Sequence, residues 1–199
     1  MRDYIVPDEV QSASAAAAGM LEVVTQTSHF WFKQFFAATI PFLIGGWLGC
    51  WIERIISEAE IEFFRSVMVA VMTLASVLAG FIVTLMLFTG RSTGAESLRV
   101  DDVGDYVLKV KYLLFSQVYT LIVHLLVVVG CVFWMVADLA SSEWFWPRVA
   151  LSLTSGLFLL SLIRTLLLPF QIYEIHEFEL DSVLLEKQRQ AQKELDAEL

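Results

Sequence analysis

The sequence predicts an all-α integral membrane protein with four transmembrane helices, and three observations support that fold class. The chain is 57% hydrophobic over its 199 residues. Four long runs without Asp or Glu occupy residues 29–52, 66–89, 112–137 and 149–170. Each run exceeds the roughly 20 residues that a helix needs to cross a hydrocarbon core of about 30 Å. A soluble chain of this size has no interior large enough to bury four such helices on all sides.

The residues outside the four runs form an N-terminal arm, three connections and a C-terminal tail. We expect a cytoplasmic N-terminal arm (1–28), the four-helix domain (29–170) and a cytoplasmic helical tail (171–199). None of the flanking segments is long enough to fold as an independent soluble domain, so a separate catalytic domain is excluded.

Prolines and helix formers set the expected ends of the last two helices. Residues 97–111 can be helical and run on into the third span. Pro147 suits the first turn of the fourth helix, whereas Pro169 is expected to kink or break that helix where it leaves the membrane. Beyond Glu186 the tail is polar on all faces, and a helix of that kind needs a partner.

The distribution of positive charge predicts that both termini face the cytoplasm. With that orientation, ten of the thirteen Lys and Arg residues lie on or near the inner side, and only Arg54, Arg65 and Arg148 face out. Five of the six tryptophans then lie at the outer ends of the helices, where an indole ring is half solvated. The two outer loops are acidic, with Glu53, Glu58, Glu60, Glu62, Asp138 and Glu143.

Few polar side chains lie inside the predicted spans. The candidates are Gln117, Thr120 and His124 in the third span and Arg164 in the fourth. Arg164 is close enough to the inner end to extend its charge toward water, and a contact with Gln117 is geometrically allowed. These residues either line a polar pore or crevice, or form interhelical hydrogen bonds of about 1 kcal/mol that fix helix packing. Packing is the preferred interpretation, and His124 is expected to be neutral because no acidic residue lies at its depth.

Small residues predict where the helices approach one another closely. Gly45 and Gly49 form a GxxxG pattern in the first span. The second span repeats small residues every four positions at Ala75 and Ala79, and again at Ser76 and Gly80. Two separate faces of this kind leave room for a contact between subunits, so we expect a homo-oligomer. Cys50 and Cys131 are more typical of buried small hydrophobic residues than of a disulfide.

Composition and motifs favour neither catalysis nor nucleic-acid binding. The net charge of −9 provides no basic surface for phosphates, so direct nucleic-acid binding is not expected. No HExxH motif, facing carboxylate pair or activated nucleophile is evident. The three histidines are scattered, so we expect no metal, cofactor or catalytic site.

Three classes of function remain open from the residues alone. The first is a membrane-anchored assembly subunit that recruits a cytosolic protein, with Glu186, Lys187, Arg189 and Lys193 of the tail as candidate partner-binding residues. The second is a small oligomeric ion channel or membrane-permeabilising effector, and the third is an accessory subunit of a transporter. The polar tail favours the first class, and the shortage of continuous polar helix faces weakens the second.

Two segments of the chain, together with its four-span plan, carry a resemblance to a known family. Residues 42–47 read FLIGGW and residues 81–91 read FIVTLMLFTGR. With both termini inside and a short helical tail, the chain resembles the membrane subunit of the Kiwa anti-phage defence system. That resemblance implies a bacterial inner-membrane scaffold and sensor that forms a homo-oligomer, a tetramer, and recruits a cytosolic DNA-binding partner. The acidic outer loops would then be candidates for the sensing side.

Overall fold

The computed structural model describes residues 30–55, 61–89, 100–140 and 145–198. Each range is a single helix: α1 (Phe30–Ile55), α2 (Ile61–Thr89), α3 (Val100–Ala140) and α4 (Phe145–Glu198). Within these ranges there is no strand. The N-terminal arm (1–28) and the acidic residues Glu58, Glu60 and Glu143 lie outside the described residues.

All four helices contain a segment that is long and apolar enough to cross a membrane. These segments are Phe32–Ile52, Glu62–Thr89, Tyr106–Leu139 and Phe145–Glu177. The all-helical, four-span fold class predicted from the sequence is therefore confirmed for the part of the chain that is described. The protein is a multi-pass membrane protein.

The four helices do not pack in chain order. Helix α4 packs along both α1 and α3, and α3 packs along α2, whereas α2 and α4 touch only briefly. The spatial order is therefore α1–α4–α3–α2, with α3 and α4 in the centre. Helices α1 and α2 each have one main neighbour, and their remaining sides carry exposed apolar residues such as Leu43, Phe81 and Leu87. Surfaces of this composition suit lipid tails.

Helices α1 and α4 approach closely through glycine and serine. A methyl group on Gly45 would lie 2.6 Å from the backbone oxygen of Ser155, and one on Gly49 would lie 2.8 Å from the Ser155 hydroxyl. On the opposite helix, a methyl group on Gly156 would lie 2.7 Å from the Phe42 carbonyl oxygen. The Ser152 hydroxyl also donates a 3.0 Å hydrogen bond to the Gly46 carbonyl. Lipid tails are as apolar as the helix surfaces, so the hydrophobic effect does not drive helices together in a membrane. Close backbone packing stabilises the helix pair instead.

An ion pair and an apolar cluster mark one end of the bundle, here called the Asp138 end. Arg65 Nε and Nη2 both donate to Asp138 Oδ2, at 3.0 and 2.7 Å. The ring of Phe64, next to Arg65, meets the ring of Trp134, one helical turn before Asp138, edge to face with centroids 5.2 Å apart. The apolar cluster beneath them joins α2, α3 and α4 through Met68, Ala75, Val127, Cys131, Trp134, Ala150 and Leu151.

Helices α3 and α4 are longer than a bilayer requires. They contain 41 and 54 residues, which correspond to about 60 and 80 Å at about 1.5 Å per residue. A span of about 20 residues counted from Asp138 ends near Val118, and the preceding part of α3 forms an extension of the helix.

A second, smaller core joins the two helices in this extension. Tyr106 and Leu113 of α3 are buried against Ile175 of α4. Lys109 and Glu174 form an ion pair of 3.4 Å beside them. We call this pair of segments (106–113 of α3 with 168–176 of α4) the stalk, and the part of α4 beyond it (178–198) the distal tail.

Pro169 does not end the fourth helix. Helix α4 runs through it as one continuous element from Phe145 to Glu198, so of the expected kink or break, the break is wrong. Proline removes one backbone hydrogen bond, and neighbouring helices often compensate for that loss inside membrane proteins. Leu168 and Ile175 on either side of Pro169 are buried, so this part of α4 is packed.

Candidate functional site

Buried polar side chains are concentrated where α3 meets α4. Six polar residues in the described part of the chain are buried: Ser116, Gln117, Thr120, His124, Thr154 and Ser161. All six belong to these two helices, and five of them lie away from the Asp138 end, in or next to the half that contains Arg164. We call Gln117, Thr120, His124, Ser161 and the half-buried Thr165 the polar seam.

His124 occupies the middle of the polar seam and is fully buried. Its Nδ1 lies 2.9 Å from the Thr120 carbonyl oxygen, which requires a proton on Nδ1. Its Nε2 lies 3.3 Å from the hydroxyl of Thr165, which also lies 2.9 Å from the Ser161 carbonyl oxygen. The single hydroxyl proton of Thr165 can go to the Ser161 carbonyl oxygen or to His124 Nε2, but not to both. Among the described residues, both ring nitrogens of His124 lie next to uncharged groups. This arrangement is that of a hydrogen-bonded core histidine joining two helices.

Gln117 connects the polar seam to α2. Its Nε2 donates a 3.2 Å hydrogen bond to Thr89 Oγ1, while the Thr89 hydroxyl donates to the Leu85 carbonyl. The Gln117 Oε1 is buried and has no hydrogen-bond partner among the described residues. The allowed contact between Gln117 and Arg164 is not formed, because each side chain bonds to a different neighbouring helix.

Arg164 is held by neutral groups from α1 and α3. Its Nη2 donates to Gln34 Oε1, and Gln34 Nε2 in turn donates a 3.2 Å hydrogen bond to the Tyr112 hydroxyl. The guanidinium carbon lies 4.0 Å from the centre of the Tyr119 ring, a cation–π geometry. Its Nε is buried without a partner. We call Arg164, Gln34, Tyr112 and Tyr119 the Arg164 site, and this end of the bundle the Arg164 end.

The partners of Arg164 and Gln117 were missed in the sequence. A signal for them was present, because Gln34 lies at the same predicted depth as Arg164, and Thr89 ends its span within about five residues of the depth of Gln117. Tyr112 and Tyr119 are seven residues apart, which places them on one face of a helix. Pairing polar residues by depth across all four spans would have proposed these contacts.

The small-residue candidates divide between the bundle interior and the lipid-facing surface. Gly45 and Gly49 are buried against α4, and Ala75 and Ala79 are buried on the side of α2 that faces the bundle. Ser76 and Gly80 lie on the exposed side, and a methyl group on Gly80 would meet nothing within 4 Å. The expected homo-oligomer stays a prediction.

The tail and loop candidates are only partly described. The backbone of Glu186, Lys187, Arg189 and Lys193 belongs to α4, and the Lys187 side chain is exposed. The side chains of the other three lie outside the described residues. Of the acidic residues expected in the outer loops, Glu62 is exposed in the first turn of α2, and Asp138 pairs with Arg65.

The two halves of the central interface differ in chemistry. The Arg164 half contains the polar seam, whereas the Asp138 half is the apolar cluster of Val127, Cys131, Trp134 and their neighbours. Cys131 and Cys50 are both free thiols. Within the described helices the polar seam therefore does not continue to the Asp138 end, and what it provides is specific helix pairing at one end.

Comparison with known proteins identifies no relative. No protein-family model matches the chain, and no curated protein or solved structure is significantly similar to it.

Proposed function

We propose that this chain is the membrane-embedded assembly subunit of a bacterial anti-phage defence complex. In this proposal it forms homo-oligomers in the inner membrane and holds a cytosolic, DNA-binding partner protein. The observation that carries the assembly role is the length of α4, whose 54 residues continue well past its membrane-crossing segment. The defence setting rests on the Kiwa-like segments 42–47 and 81–91.

The distal tail has the character of a docking helix. It extends about 30 Å beyond the stalk, at about 1.5 Å per residue. Leu180, Val183 and Leu184 share one face of this segment, and all three are exposed. An isolated helix of this length is marginal in water, and most helices gain their stability by packing an apolar face. A partner protein that covers this face would supply that packing.

The stalk gives the distal tail a fixed base. The contacts of Tyr106 and Leu113 with Ile175 tie the start of the tail to α3, which runs back into the centre of the bundle. A force or contact on the tail is therefore transmitted to the two central helices. The basic residues Lys33, Lys109 and Lys111 lie at the same end, which supports a cytoplasmic orientation for the tail.

The docking role can be tested with variants of the exposed tail face. We expect Leu180→Ser together with Leu184→Ser to reduce co-purification of the soluble protein that the wild-type chain retains by at least about tenfold, because the apolar anchor is removed. Asp181→Ser with Gln192→Ser changes exposed residues on another side of the same helix and serves as the matched control. If the Leu180→Ser, Leu184→Ser variant retains as much of the partner as the wild-type chain does, the proposal is contradicted.

An ion channel is a second candidate because polar residues are buried between the two central helices. The apolar cluster at the Asp138 end argues against a continuous path through one subunit. We therefore expect purified protein in liposomes to give no ion or dye flux above that of empty liposomes. Flux that disappears in the Gln117→Leu variant would favour the channel instead.

A further inference from the structure

We propose that the Arg164 site binds the phosphate group of an anionic phospholipid in the leaflet at the Arg164 end. The site consists of a guanidinium held in place by Gln34, Tyr112 and Tyr119, and the exposed Lys33 and Lys111 are the sequence neighbours of Gln34 and Tyr112. This inference does not depend on the assembly role proposed above. It concerns which lipid the bundle selects, whatever partner the tail holds.

The depth of Arg164 is right for a headgroup phosphate. Helix α4 begins at Phe145, and the 19 residues from there to Arg164 correspond to about 28 Å at about 1.5 Å per residue. A hydrocarbon core is about 30 Å thick, so the guanidinium lies at the boundary where phosphates begin. Arg164 is half-buried, so part of its side chain remains open to the surroundings.

Within the described part of the chain, no opposite charge neutralises Arg164. Its contacts are a neutral amide and the face of a tyrosine ring. Among the described residues no carboxylate forms an ion pair with it, and Glu174, on the same helix, is engaged with Lys109. Removing a cation from water without a counter-charge costs several kcal/mol, so an anion at this position would stabilise the site strongly.

The free hydrogen-bonding capacity of Arg164 matches a phosphate. A guanidinium has five N–H donors in a planar fork that suits the bidentate contact with phosphate oxygens. One Nη2 donor reaches Gln34, and Nε is buried, so the contact with phosphate falls to the remaining donors on Nη1 and Nη2, for which the described residues provide no acceptor. The stacking on Tyr119 and the bond to Gln34 fix the plane of the fork, which lowers the entropy that a ligand must overcome.

Two further cations extend the site toward the headgroup layer. Lys33 precedes Gln34 on α1, and Lys111 precedes Tyr112 on α3, so both flank the residues that hold Arg164. Both lysines are exposed. Lysine binds phosphate as a point charge, and lysines near an anionic surface add to its attraction.

The test uses the full chain in phosphatidylcholine nanodiscs with and without phosphatidylglycerol, followed by native mass spectrometry of the lipids that stay bound. We expect wild type to retain phosphatidylglycerol about tenfold over phosphatidylcholine, and Arg164→Gln to lose this preference. Arg54→Gln removes an exposed arginine from the Asp138 end and is the matched control, which should keep it. Equal retention of the two lipids by wild type, or an unchanged preference in Arg164→Gln, overturns the proposal.

A second variant and a measurement with free phosphate complete the test. Lys33→Gln with Lys111→Gln changes only exposed side chains, so it keeps the fold, and we expect it to reduce the preference about threefold. An unchanged preference in this variant overturns a site shared by three cations. We expect phosphatidylglycerol in the nanodisc to raise the unfolding temperature of the protein, whereas inorganic phosphate added to protein in phosphatidylcholine should not raise it. If it reproduces the rise given by phosphatidylglycerol, the site takes free phosphate and the lipid assignment is wrong.

Discussion

At the scale of single residues, the contact between α1 and α4 depends on glycines, whose lack of a side chain lets the two backbones approach closely. Gly45 and Gly156 lie where the two backbones are closest, and Ser152 and Ser155 complete the contact with small hydroxyls. Larger residues at these positions would separate the helices and remove the hydrogen bond from Ser152 to Gly46. The GxxxG pattern thus sets an interhelical distance inside one subunit.

A pair of glycine substitutions separates this packing role from helix propensity. We expect Gly45→Ala to destabilise the protein by about 1–3 kcal/mol, because the new methyl group would meet the Ser155 backbone oxygen at 2.6 Å. Gly80→Ala places the same methyl group in open space and should leave the stability of the monomer within about 0.5 kcal/mol. Thermal unfolding of both variants in the same detergent measures the difference. Equal loss in both would contradict the α1–α4 contact.

The sequence located the polar residues of the spans, and it was less informative about their partners. Depth along a helix follows from counting residues, so Gln117, His124 and Arg164 could be placed at the right levels. The partner that a side chain contacts depends on which helix lies on its side of the helix axis, and the spatial order of the helices does not follow from the sequence. For this reason the contacts of Arg164 with Gln34 and of Gln117 with Thr89 were not foreseen.

At the scale of the helices, the stalk is the feature that the hydrophobic pattern least revealed. Its core is small, with Tyr106, Leu113 and Ile175 buried. From local preference, Pro169 indicated a kink or break in α4, yet the helix continues through it, and Ile175 beyond it packs against α3. The local backbone rule for a break takes no account of such packing between two helices.

The importance of the stalk core can be tested with two aliphatic truncations on the same helix. We expect Ile175→Ala to cost about 2 kcal/mol and to expose the stalk to trypsin at Lys109 and Lys111, because it leaves a cavity between α3 and α4. Leu184→Ala removes an exposed side chain of similar size and should have little effect in the isolated protein. Comparable trypsin resistance in wild type and Ile175→Ala would show that the stalk does not depend on this contact.

At the scale of the whole molecule, the orientation in the membrane remains to be measured. The charge bias predicts that the Arg164 end faces the cytoplasm. We therefore expect green fluorescent protein fused after Leu199 to fluoresce and alkaline phosphatase at the same position to be inactive. Alkaline phosphatase fused after Ser142, between α3 and α4, should be active. The reverse pattern would place the tail outside the cytoplasm and remove the basis for a cytosolic partner.

The order α1–α4–α3–α2 has a consequence for how the protein is made. The main neighbour of the first helix is the last helix, and about 90 residues separate the end of α1 from the start of α4. At roughly 5–20 residues per second, α1 spends about 5–20 s in the bilayer before its partner is synthesised. During that interval the Gly45 surface lacks the helix that it packs against, while α2 and α3 can already pair. A ribosome that stalls before α4 leaves a bundle in which α1 lacks its main neighbour.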